Sequence, residues 1–539
     1  MDMEKNSNSF VKGAAILAIA GLIVKIIGAF FRIPLANLIG VEGMRYYEVT
    51  YPYYSFLLAV SSAGLPTAIS KTVAERVTFK DYHGARAVFK DAFILLTGIG
   101  IVTSLVMYFG AHFIANVAES PEAYRSFEAL SPALFLVSIM CVYRGYLQGM
   151  QQMTGTAVSQ LAEQIGKLIF GLYLGVKFLP QGPEYAAMGA IVGVTISEFL
   201  GLAVIWLVYM SKRKQFARAI RRSEKRSYAY GVFLKPLLLI AIPITIGASI
   251  SSLSGMVDSA LIIQLLMKLG FSNETAGVAY SLLRANVTTL VNMPGVLTMA
   301  LAVSLVPAIS SYIAKKDFKR AKIAARLGMK LALIIGFPCA VGLFVLSKPV
   351  LLLLYPTLTG GQLELASELL KTASVGVIFL SLVQSMTGVI QGLGKPSVPV
   401  FNLFVGFVLK VITMLILMSI PKVNIQGAAV STVILYAFAG IADTIFTMKK
   451  TGMQLDIFDS FGKPALASLI MGLVAAVCNS LLEAAGHQRL GAIVGIFVGV
   501  ILYAVLILAL SMFSPEELDM IPGGSKIRGL LKRFQKRSK

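Results

Sequence analysis

Several ionisable side chains fall inside long apolar stretches: Lys25, Arg32, Arg144, Glu163, Lys167, Glu198, Asp258, Arg284, Lys410 and Asp443. A charge in such a setting is costly to bury and ordinarily faces protein or a water-filled cavity, so each is a candidate functional group. Basic members outnumber acidic ones, and a site built from them suits an anion. Arginine offers a planar fork that matches pyrophosphate oxygens, and lysine a compact point charge. Lys25 and Arg32 are seven residues apart, two helical turns, and share a face. With Arg284 they are expected to line a cationic cavity, the alternative being to snorkel to an interface. Arg144 reads as a snorkelling side chain. Glu163 and Lys167, four apart, read either as an internal helix pair or as parts of a proton or ion relay, a set that Glu198 and Asp443 could extend. Asp258 is either neutralised by Lys410 across helices or binds a coupling cation.

The elements that must position these groups are set by composition. The 539 residues are 57% hydrophobic and 14% charged, with a mean hydropathy of +0.79, far more apolar surface than a water-soluble core could bury. Apolar runs of about twenty residues, each able to cross a hydrocarbon layer of about 30 Å as a helix, recur along the whole length. The runs are 12–32, 47–69, 91–115, 127–149, 157–179, 186–210, 235–262, 285–311, 327–354, 368–391, 399–420, 426–448, 464–484 and 490–512. They predict an all-α integral membrane protein with about fourteen transmembrane helices. The first run lacks a small-residue cleavage signature and reads as a retained span, not a signal peptide.

The formal net charge of +22 is concentrated in alternate loops. Lys212, Arg213, Lys214, Arg218, Arg221, Arg222, Lys225 and Arg226 follow the sixth span, and Lys315, Lys316, Lys319, Arg320 and Lys322 the eighth. Lys71, Arg76, Lys80 and Arg86 follow the second, and the intervening loops carry Glu119, Glu122, Glu364 and Glu368 instead. The positive-inside rule places both termini in the cytoplasm of a multi-pass cell-membrane protein. The basic excess is therefore topological, with attraction to anionic lipid of the bilayer secondary, and nucleic acid is not an expected partner. Tyr46, Tyr47, Tyr51, Tyr53 and Tyr54 read as an interfacial aromatic belt.

An internal repeat organises the chain. Gly145, Gln148, Gly149 and Lys167 recur 243 residues later as Gly388, Gln391, Gly392 and Lys410. Pro66-Thr-Ala-Ile-Ser70 is echoed by Pro307-Ala-Ile-Ser310, and Gly189-Ala190 by Gly427-Ala428. Two parallel six-helix lobes in pseudo-two-fold repeat are expected at 1–210 and 236–450, joined by a basic cytoplasmic linker at 211–235. Extra helices 13 and 14 lie at 451–513, and a basic tail at 514–539. Parallel six-helix repeats are a transporter architecture. The linker could let the lobes move as units or be only a solvated tether.

Catalytic and cofactor motifs are missing from the reading. Cys141, Cys339 and Cys478 lie in spans and read as small buried hydrophobes. His83, His112 and His487 have no metal spacing, so no metal site is expected. Gly394-Lys395 lacks the preceding glycine of a phosphate loop, Val389 standing there, and Pro396 replaces its Ser/Thr. No enzyme activity and no cofactor is expected, with coupling to membrane potential, protons or sodium as the energy source.

The segment Gly21-Leu-Ile-Val-Lys25-Ile-Ile-Gly28-Ala-Phe-Phe-Arg32-Ile-Pro34, the segment Gly64-Leu-Pro66-Thr-Ala-Ile-Ser70 and the turn Gln391-Gly-Leu-Gly-Lys-Pro396 resemble the polysaccharide-transport branch of the multidrug/oligosaccharidyl-lipid/polysaccharide exporter superfamily. The closest group holds stage V sporulation protein B and the MurJ-type lipid II flippases. The resemblance implies a cationic cavity, alternating access and a helix pair 13–14 that grooves a polyprenyl tail. It implies cavity cations at Lys25, at or beside Arg32, and near Arg284. It makes Asp258 a sodium-ligand candidate by likeness to the first of two acids in sodium-binding members, while Lys410 stands where those members carry the second. The expected function is flipping of an undecaprenyl-pyrophosphate-linked peptidoglycan precursor, lipid II, with cell-wall synthesis machinery as a possible partner. The alternatives are another polyprenyl-linked precursor (teichoic acid, capsule, spore cortex) or drug/cation antiport.

Overall fold

The computed structural model of the chain describes residues 2–518 and 520 apart from Leu455; side chains of residues 1–16, of Ala18 and of Pro515 are outside this description. The expected basic tail from residue 521 onward, with Lys526, Arg528, Lys532, Arg533, Lys536, Arg537 and Lys539, also lies outside the described residues. Among the described residues every regular element is helical. Eleven helices are long and apolar enough to cross a membrane, or twelve if the pair Gly360–Ser374 and Gly376–Gly392, bent by 43°, is one span. The protein is an all-α multi-pass membrane protein, as it must be where lipid offers the backbone no hydrogen bonds.

Two of the expected runs fall into a single helical stretch, and another is broken up. Runs 12–32 and 47–69 begin within α1 (Asp2–Ser62), which is interrupted at Gly40 with φ 70° and ψ 178°, a conformation open to a residue without Cβ. Run 157–179 is divided among α6 (Met153–Gly166), a π-helical segment Lys167–Gly171 and α7 (Leu172–Phe178). The chain separates into two compact units, Met1–Ser281 and Leu282–Lys539.

The first unit continues with α2 (Leu65–Thr78), α3 (Tyr82–Phe109), α4 (Ala111–Val117), α5 (Tyr124–Gly149), α8 (Pro183–Arg222), α9 (Leu234–Lys268) and α10 (Asn273–Ser281). α1 packs on α5, α6, α8 and α9, while α5 holds α2, α3 and α8. Ile69, Val73, Val88, Leu96, Met140, Leu147 and Ile205 form its core. Helix α8 runs on to Arg222, so about half of the basic linker is helical. Its remainder is docked: Asp91 accepts from the amides of Gly231 and Phe233 at 3.0 Å each, and Asp81 accepts from the Tyr228 hydroxyl. Both aspartates are buried, and hydrogen bonds to an ionised acceptor are the stronger kind. Tyr47, Tyr53 and Tyr54 are buried too. Where an interfacial belt was expected, these rings pack inward, Tyr53 edge-on to Phe127, because the helix face that carries them meets protein.

The second unit opens on a π-helical segment, Leu282–Val287, and continues with α11 (Thr288–Ala314), α12 (Phe318–Val345), α13 (Ser347–Leu354), α14 (Gly360–Ser374) and α15 (Gly376–Gly392). Helices α16 (Ser397–Met418), α17 (Gln426–Thr451), α18 (Lys463–Ala484), α19 (Gln488–Ala509) and α20 (Pro515–Leu518) follow, with a third π-helical segment, Phe458–Gly462, before α18. Leu305, Ile309, Met329, Leu333, Leu382 and Met386 form its core. The late helices α18 and α19 pack on each other, and α18 packs on α12.

The repeat reappears as a contact pattern. α2, α3 and α8 pack on α5 as α11, α12 and α17 pack on α15, and α6 meets α8 as α16 meets α17. The paired glycines explain the close approach, since helices in lipid associate through small residues. A Cβ on Gly145 would lie 2.9 Å from Ile69 Cβ and one on Gly149 2.6 Å from Val73 Cβ; in the second unit one on Gly388 would lie 2.7 Å from Ala302 Cα and one on Gly392 2.9 Å from Ile309 Cβ. A second correspondence was not anticipated. Lys80 and Lys316 both have φ of 57°, each followed by an aspartate that caps the next helix, Asp81 from Gly84 N at 2.8 Å and Asp317 from Arg320 N at 3.0 Å. An N-cap of this type contributes about 1 kcal/mol. The signal was there as Lys80-Asp81-Tyr82 and Lys316-Asp317-Phe318.

Candidate functional site

The break at Gly40 divides α1 into a stretch carrying Arg32 and a stretch carrying Glu48 and the tyrosines. Sixteen residues apart, Arg32 and Glu48 meet: Nη2 lies 3.1 Å from Oε1, with the arginine side chain 23% exposed and the glutamate sealed at 0%. Tyr47 and Tyr51 stack with centroids 5.4 Å apart. Lys167 opens the π-helical segment and donates to the Tyr51 hydroxyl at 3.1 Å. Its ammonium lies 4.7 Å from the Tyr51 ring centroid and 5.2 Å from that of Phe31, and Arg32 Cζ lies 6.0 Å from the same Tyr51 ring. Cation–π attraction of this kind grows where water is excluded. Two cations therefore share one aromatic ring, and one of them, Arg32, also meets a carboxylate.

Glu163 and Lys167 have different partners. Glu163 takes Arg144, with Nη2 2.9 Å from Oε2, and Gln164 at 3.1 Å, whereas Lys167 turns to α1. The backbone N–H of Lys167 still reaches the Glu163 carbonyl, so the helical spacing is kept; the two side chains part because Arg144 and Tyr51 offer each a partner from another helix. Arg144 is also not a snorkelling side chain: it is 12% exposed and donates to Ser159 at 2.8 Å, because α5 and α6 bring a hydroxyl and a carboxylate to it. Glu198, on α8, is buried, and its Oε2 has no hydrogen-bond partner among the described residues.

The remaining candidates are dispersed. Lys25 is exposed on α1 two turns before Arg32, and Asp258 is buried on α9. In the second unit Arg284 is half-buried in the π-helical segment, Lys410 is buried on α16, and Asp443, buried on α17, accepts from Asn402 Nδ2 at 2.7 Å. Each of the three described π-helical segments carries a charged residue: Lys167, Arg284 and Asp459. Such segments concentrate at functional positions.

Glu48, Arg45 and Lys330 escaped the sequence reading, and Tyr51 entered it only as part of an interfacial belt. Lys330, inside the expected run 327–354, is 1% exposed and meets both Asp459 and Glu517, the latter at 3.2 Å. An uninterrupted search of the apolar runs for charges would have found Glu48 and Lys330. Arg45 is buried and donates to the Glu119 carbonyl at 2.9 Å, beside a cleft of about 250 Å³ lined by Glu42, Tyr46, Glu122, Asn273 and Glu274. Among the described residues no group of three or more His, Cys, Asp or Glu is placed to hold a metal ion.

With this arrangement in hand, the comparisons are specific. The family model described as polysaccharide biosynthesis protein matches residues 10–313, more than half of the chain. The chain belongs to that family. It is a transporter of the multidrug/oligosaccharidyl-lipid/polysaccharide exporter superfamily, and the MatE family model also matches, over residues 243–416. It is similar to stage V sporulation protein B of Bacillus subtilis (strain 168), 24% identical with 95% of this chain and 98% of the relative covered. Its fold resembles that of the lipid II flippase MurJ in an inward closed conformation, TM-score 0.67 at 18% identity, covering 92% of this chain and 98% of the other. It also resembles an inward-facing multidrug resistance MATE family transporter, TM-score 0.69 at 15% identity, covering 82% and 98%.

Proposed function

We propose that this member of the polysaccharide biosynthesis protein family exports a polyprenyl-linked polysaccharide precursor from the cytoplasmic to the outer leaflet by alternating access. The observation that carries the reading is the placement of Arg32 and Lys167 over one tyrosine ring, a cationic aromatic patch suited to a diphosphate linkage. Lys25 and Arg284 are assigned to the same cationic path, and no covalent chemistry is needed. The names of the relatives support a lipid-linked cargo, and the reading is of that class: lipid II is one candidate beside teichoic-acid, capsule and spore-cortex precursors. Glu163, Glu198, Asp258, Lys410 and Asp443 are the groups through which protons, sodium or membrane potential would couple, with Asp258 and Lys410 either a charge pair or, at Asp258, a sodium ligand.

The proposal carries the fourteen-span count with it, α1 taken as two spans at Gly40 and residues 153–178 as one. It also carries lobes 1–210 and 236–450 with the linker 211–235, the helix pair 451–513 and cytoplasmic termini. The MatE match favours a second reading, drug/cation antiport, which would need carboxylates presented to the cargo where Arg32 and Lys167 stand. The deciding experiment depletes the protein in cells and identifies accumulating lipids by mass spectrometry. A build-up of undecaprenyl-diphosphate-linked sugars supports export of precursors; unchanged lipid pools with altered drug sensitivity support the antiporter.

A further inference from the structure

We propose that Glu48 is a built-in counter-anion that competes with the cargo's diphosphate for Arg32 and so sets how tightly the transporter holds its cargo. The inference rests on the anion-handling role given above to Arg32. Glu48 is sealed from solvent while its partner is 23% exposed, so an incoming anion can reach Arg32 but cannot displace Glu48 from its place. The backbone there is fixed as well: the Glu48 carbonyl accepts from the Tyr280 hydroxyl at 2.9 Å, and Tyr47, Val49 and Thr50 around it are buried.

Around Tyr51 stand two cations, of which Arg32 meets the Glu48 carboxylate. A diphosphate brings at least two negative charges and can take Arg32 from a monoanion. The cost is a buried carboxylate left without compensation, an unfavourable state in a low-dielectric interior. Return of Arg32 to Glu48 then favours release. A transporter whose cations bound the linkage with nothing to replace it would hold cargo tightly and turn over slowly, since equal tightening of every state does not speed a cycle. Glu48 acts through Arg32 and is therefore a positioning residue that makes no contact with cargo.

The test uses the full chain in lipid nanodiscs with inorganic pyrophosphate as the binding probe, and the same variants in vesicles with undecaprenyl diphosphate as the flipped lipid. Glu48→Gln, isosteric and neutral, is expected to bind pyrophosphate about ten-fold tighter while flipping slows several-fold. Glu48→Asp, which keeps the charge but shortens its reach, is expected to tighten binding about three-fold and keep most of the flipping rate, and it carries the test if the glutamine variant does not fold. Unchanged or weaker pyrophosphate binding in a folded Glu48 variant would overturn the inference and leave Glu48 a structural partner. Failure of the wild-type chain to bind pyrophosphate, with Arg32→Ala no different, would instead remove the anion reading on which it rests.

Discussion

Arg144 on α5 and Glu163 on α6 form a salt bridge of 2.9 Å, with side chains 12% and 17% exposed, and Ser159 fills the remaining donor direction at 2.8 Å. Two helices of the first unit are thereby tied by charge at a place where α5 also meets α8. Removing one partner of such a pair strands the other, which costs about 3–5 kcal/mol, whereas removing both avoids most of that cost. Arg144→Met and Glu163→Gln should each lower the melting temperature of the purified protein clearly, and the double variant should recover at least half of the loss. Additive losses in this cycle would show that the two side chains act independently.

The ion cluster of the second unit predicts a graded response. Lys330, 1% exposed, meets Asp459 and Glu517, and Glu517 also takes Arg326 at 3.1 Å and the Ser514 amide at 2.9 Å. Lys463, 23% exposed, meets only the Asp459 side of the cluster at 2.7 Å. Lys330→Met should therefore destabilise far more than Lys463→Met, whose effect should stay below about 1 kcal/mol. Limited proteolysis should find the connection between α17 and α18 more open in the first variant. Equal melting temperatures for both would contradict the role assigned to Lys330.

Helix contact through glycine gives a third expectation. A Cβ on Gly193 would sit 2.4 Å from the Gly171 amide nitrogen, whereas one on Gly361 meets nothing within 4 Å. Backbone cannot yield as a side-chain tip can, so Gly193→Ala should cost several kcal/mol, on the order of overpacking a core or more. Gly361→Ala should be neutral within about 0.5 kcal/mol. Fluorescence-detected size-exclusion chromatography of membrane extracts would compare the folded fractions, and a well-folded Gly193→Ala protein would mean that the π-helical segment Lys167–Gly171 and α8 can separate.

Transport supplies the fourth. Arg32→Ala and Lys167→Ala should each abolish flipping in vesicles while leaving the protein in the membrane. Arg32→Lys should recover only part, because the point charge survives without the fork. Near-normal flipping by both alanine variants would sink the cationic-patch reading.

Membrane insertion, helical class, repeat and candidate charges were all legible in the order of residues. Hydropathy is a sum over neighbours in sequence, and lipid enforces helices wherever it is high, so a run such as 399–420 translates directly into α16. Gly388 and Gly392 repeat Gly145 and Gly149 because the same close helix contact is made twice. Partners were another matter. Glu163 and Lys167 sit at helical spacing, and spacing alone cannot foresee the packing that gives Lys167 to Tyr51 and Glu163 to Arg144. Glu48 gained its meaning only when the break at Gly40 brought it to Arg32, and Lys330 when α20 delivered Glu517 from far along the chain. A sequence records which charges lie at membrane depth, because that cost is local; which charge compensates which is decided by helix packing, because only tertiary contact sets the distance and the exclusion of water on which an ion pair depends.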